Sequence, residues 1–226
     1  MSHATSKSAA HLPVPTSDEI AALAGPMLSP NTKLPDGLWE RLAAYLELLQ
    51  RWNQRMNLTA VRNLEELARV HIAESLRCGQ LLPSGITTLL DFGSGAGLPG
   101  IPILLLRPEI AVTLAESQSK KASFLREALR VLDVPQTEVY AGRVEDLPQA
   151  QQWDGVSLRA VDKMELALAE ASRRVRAAGW CAVLTTEERA TSARSLLPRF
   201  DWQAPEMLPG SRQRVVLLGQ KTVGAS

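Results

Sequence analysis

From Asp36 the apolar positions recur at helical spacing. Leu38, Leu42, Tyr45, Leu46, Leu49, Trp52 and Met56 fall on one face, and Asp36 is placed as the N-cap. A second amphipathic helix is predicted from Asn63, where Asn63 and Glu66 have the spacing of a capping box and Leu64, Leu67, Ala68, Ile72, Ser75 and Leu76 share a face. His71 lies on that same face and reads as a buried, hydrogen-bonded core residue rather than a ligand. Upstream, Ser, Ala and Pro dominate with little to bury, so residues 1–17 are expected as a disordered tail and 18–82 as a helical segment.

After Leu82 the period changes. Short apolar runs predict strands at Thr87–Phe92, Ala111–Glu116, Thr137–Ala141, Gly155–Leu158, Trp180–Thr185 and Arg214–Leu218. Helical patterns separate them at Gly100–Leu106, Lys120–Leu132, Asp162–Ala178 (closed by Gly179) and Glu187–Leu197. Strands alternating with helices imply right-handed crossovers and a mainly parallel sheet covered on both faces. The fold class is therefore α/β, Rossmann-like over residues 83–226, with the helical segment as an N-terminal appendage.

Composition narrows the function classes. With 226 residues, 45% of them apolar, the chain can bury a sizeable core. It has no apolar run long enough to span a membrane and no secretory leader pattern, so a cytoplasmic location is expected. Cys78 and Cys181 lack zinc-type spacing, and two of the three histidines, His3 and His11, fall in the tail, which leaves almost no material for a metal site. The net charge of +1 decides nothing by itself, but basic residues cluster: Arg51, Arg55, Arg62 and Arg69; Lys120, Lys121, Arg126 and Arg130; and Arg173, Arg174 and Arg176. Each cluster is either a solvated face or part of a polyanion footprint.

The stretch TLLDFGSGAGLPGIP concentrates the chemistry. Gly93, Gly95, Gly97 and Gly100, with Pro99 and Pro102, follow the first strand of the sheet, where open α/β folds bind ligands. A strand-to-helix joint needs one or two glycines, so four point to a backbone that approaches a ligand closely. Gly95, Gly97 and Gly100 also satisfy the dinucleotide fingerprint G-x-G-x-x-G. Against a pyrophosphate stand Asp91, just before the turn, and the two prolines around the helix start. A carboxylate there is better placed beside the amino group or sulfonium of S-adenosylmethionine. Glu116, ending the second strand, can accept both ribose hydroxyls, and the turn after the third strand should face the adenine with backbone groups of Val144 and Glu145.

DFGSGAGLPGIP, RPEIAVTLAESQSKKASFLREA, GRVEDL and WDGVSLRAV, in this order and spacing, resemble the bacterial 16S ribosomal RNA 7-methylguanosine methyltransferases, once called glucose-inhibited division protein B. RWNQRMNLTAVRNLEELARVHIAESL resembles the N-terminal part of that family, so the likeness runs from about Arg51 to Ala160. It implies a class I S-adenosylmethionine-dependent methyltransferase sheet. It further implies methylation of guanine N7 in 16S rRNA of the small ribosomal subunit, no DNA partner, and cofactor contacts at Gly93, Leu98, Val144, Glu145 and Arg159. Leu184-Thr185-Thr186 stands where the family usually has Leu-Lys-Gly, the usual lysine ending the last strand is missing near Leu218 and Gly219, and Glu116 and Glu74 replace aspartates.

Guanine N7 carries a lone pair and no proton, so its attack on a methyl sulfonium needs positioning and no general base. Neither a nucleophilic Pro-Cys turn nor an Asn/Asp-Pro-Pro-aromatic loop is present, and SLRAV follows the fourth strand instead. Arg159, just after the run GVSL, reads as a catalytic positioning group or as an ordinary ion-pair partner. Donation to O6 would weaken N7, which favours positioning over activation. Another RNA site, a small-molecule acceptor, or a binding module without turnover remain alternatives.

Overall fold

The computed structural model describes residues 14–59, 61, 63–159, 164–208 and 210–223; Arg62 and most of the expected tail lie outside them. Within the range expected as tail, Val14 packs on the core and Thr16 caps a helix. Its side chain accepts from the Glu19 amide at 3.3 Å, and the Glu19 carboxylate accepts from the Thr16 amide at 2.8 Å, a reciprocal capping box that opens α1 (Ser17–Ala24).

The predicted helix after Asp36 is α2 (Leu38–Asn53), but its N-cap is Gly37, at φ +69°, rather than Asp36. Only glycine enters that left-handed turn without strain. The helix stops short of Met56 because the Asn53 side chain accepts from the amides of Leu58 (2.8 Å) and Thr59 (3.1 Å) and turns the chain. Asn63 caps α3 (Leu64–Glu66) as expected. That turn runs into a π-helical stretch, Leu67–Ile72, and then α4 (Ala73–Leu81).

Eight strands follow among the described residues: β1 (Thr88–Phe92), β2 (Ala111–Ala115), β3 (Glu138–Tyr140), β4 (Trp153–Arg159), β5 (Val175–Thr186), β6 (Phe200–Trp202), β7 (Glu206–Met207) and β8 (Arg214–Lys221). They form one sheet in the order β3-β2-β1-β4-β5-β8-β6, with β7 also on β8. The first five strands pair in parallel, and β8 runs antiparallel to β5. The remaining helices are α5 (Gly100–Leu106), α6 (Ser119–Leu132), α7 (Met164–Arg174) and α8 (Glu187–Leu196). Strand order reverses between β1 and β4, which opens a crevice at their carboxyl ends.

Side chains alternate between two cores, as a two-sided sheet requires. Leu89, Leu184 and Val216 face a core shared with α1, α2, α4, α5 and α6, whereas Leu90, Val183 and Val215 face one shared with α7 and α8. The N-terminal helices are thus a covering layer of the sheet.

Three departures from the sequence reading concern β5 and the sheet edge. The helix expected to reach Ala178 ends at Arg174, because Val175 pairs with Trp153 and starts β5 ahead of a register shift. β6 and β7, two or three residues each, are too short to leave a period. β8 continues to Lys221, so a lysine does close the last strand; its Nζ donates to the carbonyls of Ser172 (2.7 Å) and Val175 (2.6 Å).

Candidate functional site

A cleft of about 550 Å³ lies at the carboxyl ends of β1, β2 and β4. Gly93, Gly95, Leu98, Glu116, Val144, Glu145 and Arg159 all line it, together with Leu58, Thr59 and Lys121. Its floor is the turn after β1, where Gly93, Gly95 and Gly97 have φ of +70°, +57° and +88°. A side chain at Gly97 would collide with Ile101 at 2.4 Å, and one at Gly100 with Leu114 at 2.4 Å and Asp91 at 2.6 Å, so Gly97 lets the turn close on α5 and Gly100 lets α5 start against β1 and β2. At Gly95 a Cβ would meet only Gly93 O, at 3.8 Å, so the open side of that residue is the cleft. The helical layer supports the turn from below: buried Tyr45 donates its hydroxyl to the Ala96 carbonyl at 2.6 Å.

Glu116 is 6% exposed, yet its carboxylate borders the cleft. Its oxygens accept from the amides of Gly95 (2.9 Å) and Gln118 (2.7 Å), which fixes the group and leaves lone pairs on both oxygens.

Asp91 differs from the expectation. It is 1% exposed and does not line the cleft. One carboxylate oxygen accepts from the Ser157 hydroxyl at 2.8 Å and the other from the Gly100 amide at 3.3 Å, so it ties β1 to β4 and to the start of α5. Burial pushes its pKa up to about 6 against those hydrogen bonds and the charge of Arg159.

Val144 and Glu145 open a short turn after β3. The Val144 carbonyl already accepts from Arg174 Nη2 (3.0 Å) and the Leu147 amide (3.2 Å). Arg174 is 2% exposed; it also donates to the carbonyls of Leu147 (3.1 Å) and Pro148 (2.7 Å), and to Glu170 at 2.7 Å. Arg174 of the third basic cluster is therefore structural, while Arg173 and Arg176 stay exposed and pair with Glu170 and Asp154. Arg51, Arg55 and Lys120 are exposed, and Lys121 lines the cleft.

Arg159, the last residue of β4, separates the cleft from a second cavity of about 210 Å³ and lines both. Its Nη2 contacts His71 Nδ1 at 2.7 Å; arginine only donates, so that nitrogen accepts. Nη1 is buried and has no hydrogen-bond partner among the described residues. Burial draws the guanidinium below the usual arginine range, opposed by the charge of Glu74. An unpaired donor of this kind calls for a ligand.

The second cavity collects residues that the sequence did not join. His71, expected in the core, is 15% exposed at its side chain and faces Arg159. Glu74, in the first turn of α4, takes Arg214 Nε at 3.0 Å and lies 3.7 Å from His71. Arg214 pairs with Thr186 across β5 and β8, so a positive charge from β8 occupies the corner where Thr185 and Thr186 carry none. The available signal was the spacing of His71 and Glu74, three apart on one helix, which alone marks only a shared face. The thiol of Cys181 is buried inside β5, and burial pushes it up to about 12.

The model of the GidB family, rRNA small subunit methyltransferase G, matches residues 38–199. This chain belongs to that family. Similar curated proteins include ribosomal RNA small subunit methyltransferase G of Methylobacillus flagellatus, 44% identical over 133 residues, which are 59% of this chain and 64% of that protein. The protein of the same name from Xanthomonas euvesicatoria pv. vesicatoria is 43% identical over 138 residues, 61% of this chain and 64% of its own length. The chain thus spans just under two thirds of these relatives. Among solved structures, an S-adenosylmethionine-dependent methyltransferase from Aquifex aeolicus superposes with a TM-score of 0.58 at 13% identity, over 74% of this chain and 97% of that one. This chain therefore has the class I methyltransferase fold, and its family match spans both the glycine turn and the π-helical stretch that carries His71.

Proposed function

We propose that the chain transfers a methyl group from S-adenosylmethionine to N7 of a guanine in 16S rRNA of the small ribosomal subunit. The observation that carries the cofactor is the start of α5. Its first amide, of Gly100, is taken by the buried Asp91 carboxylate, and Pro99 and Pro102 have no amide hydrogen to offer. A pyrophosphate would find few donors there and a negative charge behind them, which disfavours a dinucleotide. Glu116, held by two amides with lone pairs to spare, suits the two hydroxyls of one ribose. The Val144 carbonyl is fully engaged, so the amides of Val144 and Glu145 are assigned to the adenine edge. Gly93, Gly95 and Leu98 are assigned to the backbone approach. The names of the relatives above support the rRNA substrate.

S-adenosylmethionine in the cleft supplies a methyl group on a positively charged sulfur. The chain's own part is to hold the acceptor in line with that methyl and to exclude water. Arg159 is the catalytic residue of this reading, a fixed donor between cleft and second cavity whose Nη1 has no partner among the described residues. No proton leaves N7, and none of the groups around the cleft is needed as a general base.

The deciding experiment incubates the protein with labelled S-adenosylmethionine and small-subunit particles from cells lacking it, then maps 7-methylguanosine by chemical cleavage. One new cleavage site in 16S rRNA is expected. Arg159→Ala should lower the rate by roughly tenfold to a hundredfold with an unchanged melting temperature. Label absent from RNA would overturn the reading.

A further inference from the structure

The second cavity is smaller than the roughly 300–1,000 Å³ of sites for drug-sized ligands, and it suits a single ring system. Its lining is apolar at Met164, Leu184 and Leu208, and Glu74 is its carboxylate, among His71, Arg159, Arg189 and Arg214. Glu74 is 7% exposed. Arg214 engages one of its oxygens; the other lies 3.7 Å from His71, beyond hydrogen-bond distance. A carboxylate in a cavity with this apolar lining fits a flat ligand that presents adjacent N–H donors along one edge.

Resting on the methyltransferase reading above, we propose that this cavity receives the flipped-out acceptor guanine. The Glu74 carboxylate accepts from its N1–H and N2 amino group, so that the opposite edge, with N7, is turned back towards the cleft. Guanine is the base with two adjacent donors on its Watson–Crick edge; adenine turns a lone pair at N1 towards the carboxylate and is repelled. The same contact assists the transfer. The N7 lone pair bonds to the methyl carbon as the carbon–sulfur bond breaks; that bond's electrons stay on sulfur, which becomes neutral, and the positive charge passes to the guanine ring. No proton moves. As the ring charges, its N1–H and amino group become stronger donors, so the bond to Glu74 tightens in the transition state more than in the ground state. Arg214 holds Glu74 in place from β8.

The test uses the full chain, with S-adenosylhomocysteine affinity read by calorimetry and methylation of small-subunit particles read in the presence of GMP, IMP, AMP or 7-methyl-GMP. In the parent, 7-methyl-GMP should inhibit at lower concentration than GMP, and GMP at roughly tenfold lower concentration than IMP or AMP. Glu74→Gln should abolish these preferences and lower kcat/KM for particles by roughly tenfold or more, with S-adenosylhomocysteine affinity within about twofold of the parent. Glu74→Asp should keep the preferences. Thr185→Trp, filling the cavity from a half-buried wall position, should block methylation with cofactor affinity kept. Equal inhibition by the nucleotides, no inhibition at millimolar concentration, or preferences that survive Glu74→Gln would overturn the assignment of this cavity while leaving the methyltransferase reading intact. A parent that binds no S-adenosylhomocysteine, or labels no RNA, would overturn both.

Discussion

Asp91 is a carboxylate that folding makes harder to ionise. Its pKa in the folded chain, pushed from an ordinary 3.8 to about 6 by burial, lies above the unfolded value, so the native state holds the proton more tightly. The stabilisation from holding it is complete below about pH 4 and is lost as pH rises through about 6. Relative to Asp91→Asn, which has nothing to titrate, the parent should lose on the order of 2–3 kcal/mol across that window, read from urea midpoints at successive pH values. Glu116 plays a different part: both its oxygens are held by amides, and it faces the cleft. Glu116→Ala should weaken S-adenosylmethionine binding by about 1–3 kcal/mol in a calorimetric titration.

At the scale of elements, the join between β1 and α5 separates packing glycines from a ligand-facing one. Gly100→Ala pushes a methyl against Leu114 and Asp91 and should cost about 1–3 kcal/mol of stability in chemical denaturation. Gly95→Val has free space but a left-handed backbone. It should cost about 1–2 kcal/mol, keep the fold and abolish cofactor binding in the same titration. The turn after β3 depends on a different device, the buried Arg174 that holds three of its carbonyls. Arg174→Met removes a donor from each of those carbonyls, leaving Val144 and Pro148 with the amides of Leu147 and Gln151, and removes one of the two partners of buried Glu170. A loss of about 3–5 kcal/mol in urea, with weaker cofactor binding, is expected.

Across the whole molecule, one core joins the helical layer to the sheet. Leu42, Tyr45, Leu49, Leu67 and Ile72 belong to the same buried cluster as Leu89, Val112, Leu114 and Val216. A fragment of residues 83–226 would expose that face, so it should show no cooperative urea transition by far-UV circular dichroism. A parent-like transition in the fragment would mean that the helices are dispensable to the fold. The same layer brings Tyr45 under the glycine turn and Glu74 next to Arg214, so cleft and second cavity both depend on it.

The periods of the sequence determined the alternating strands and helices, and with them the parallel sheet and the position of the glycine turn at its carboxyl edge. These are local matters: side-chain spacing sets which face is buried, and four glycines in one turn have few other uses. Gly95, Glu116, Val144, Glu145 and Arg159 could be named in advance from their places after the strands, and Gly93 and Leu98 from the family resemblance; all of them line one cleft. Only the tertiary structure decided that Asp91 turns inwards to Ser157, that Arg174 is a buried clamp rather than a solvated charge, and that His71, Glu74, Arg159 and Arg214 meet around one cavity. Those contacts join residues 66 and 140 positions apart, such as Asp91 to Ser157 and Glu74 to Arg214. Periodicity reports which face of its own element a side chain occupies; which neighbour covers that face depends on strand order, and the sequence pattern carries no local trace of that.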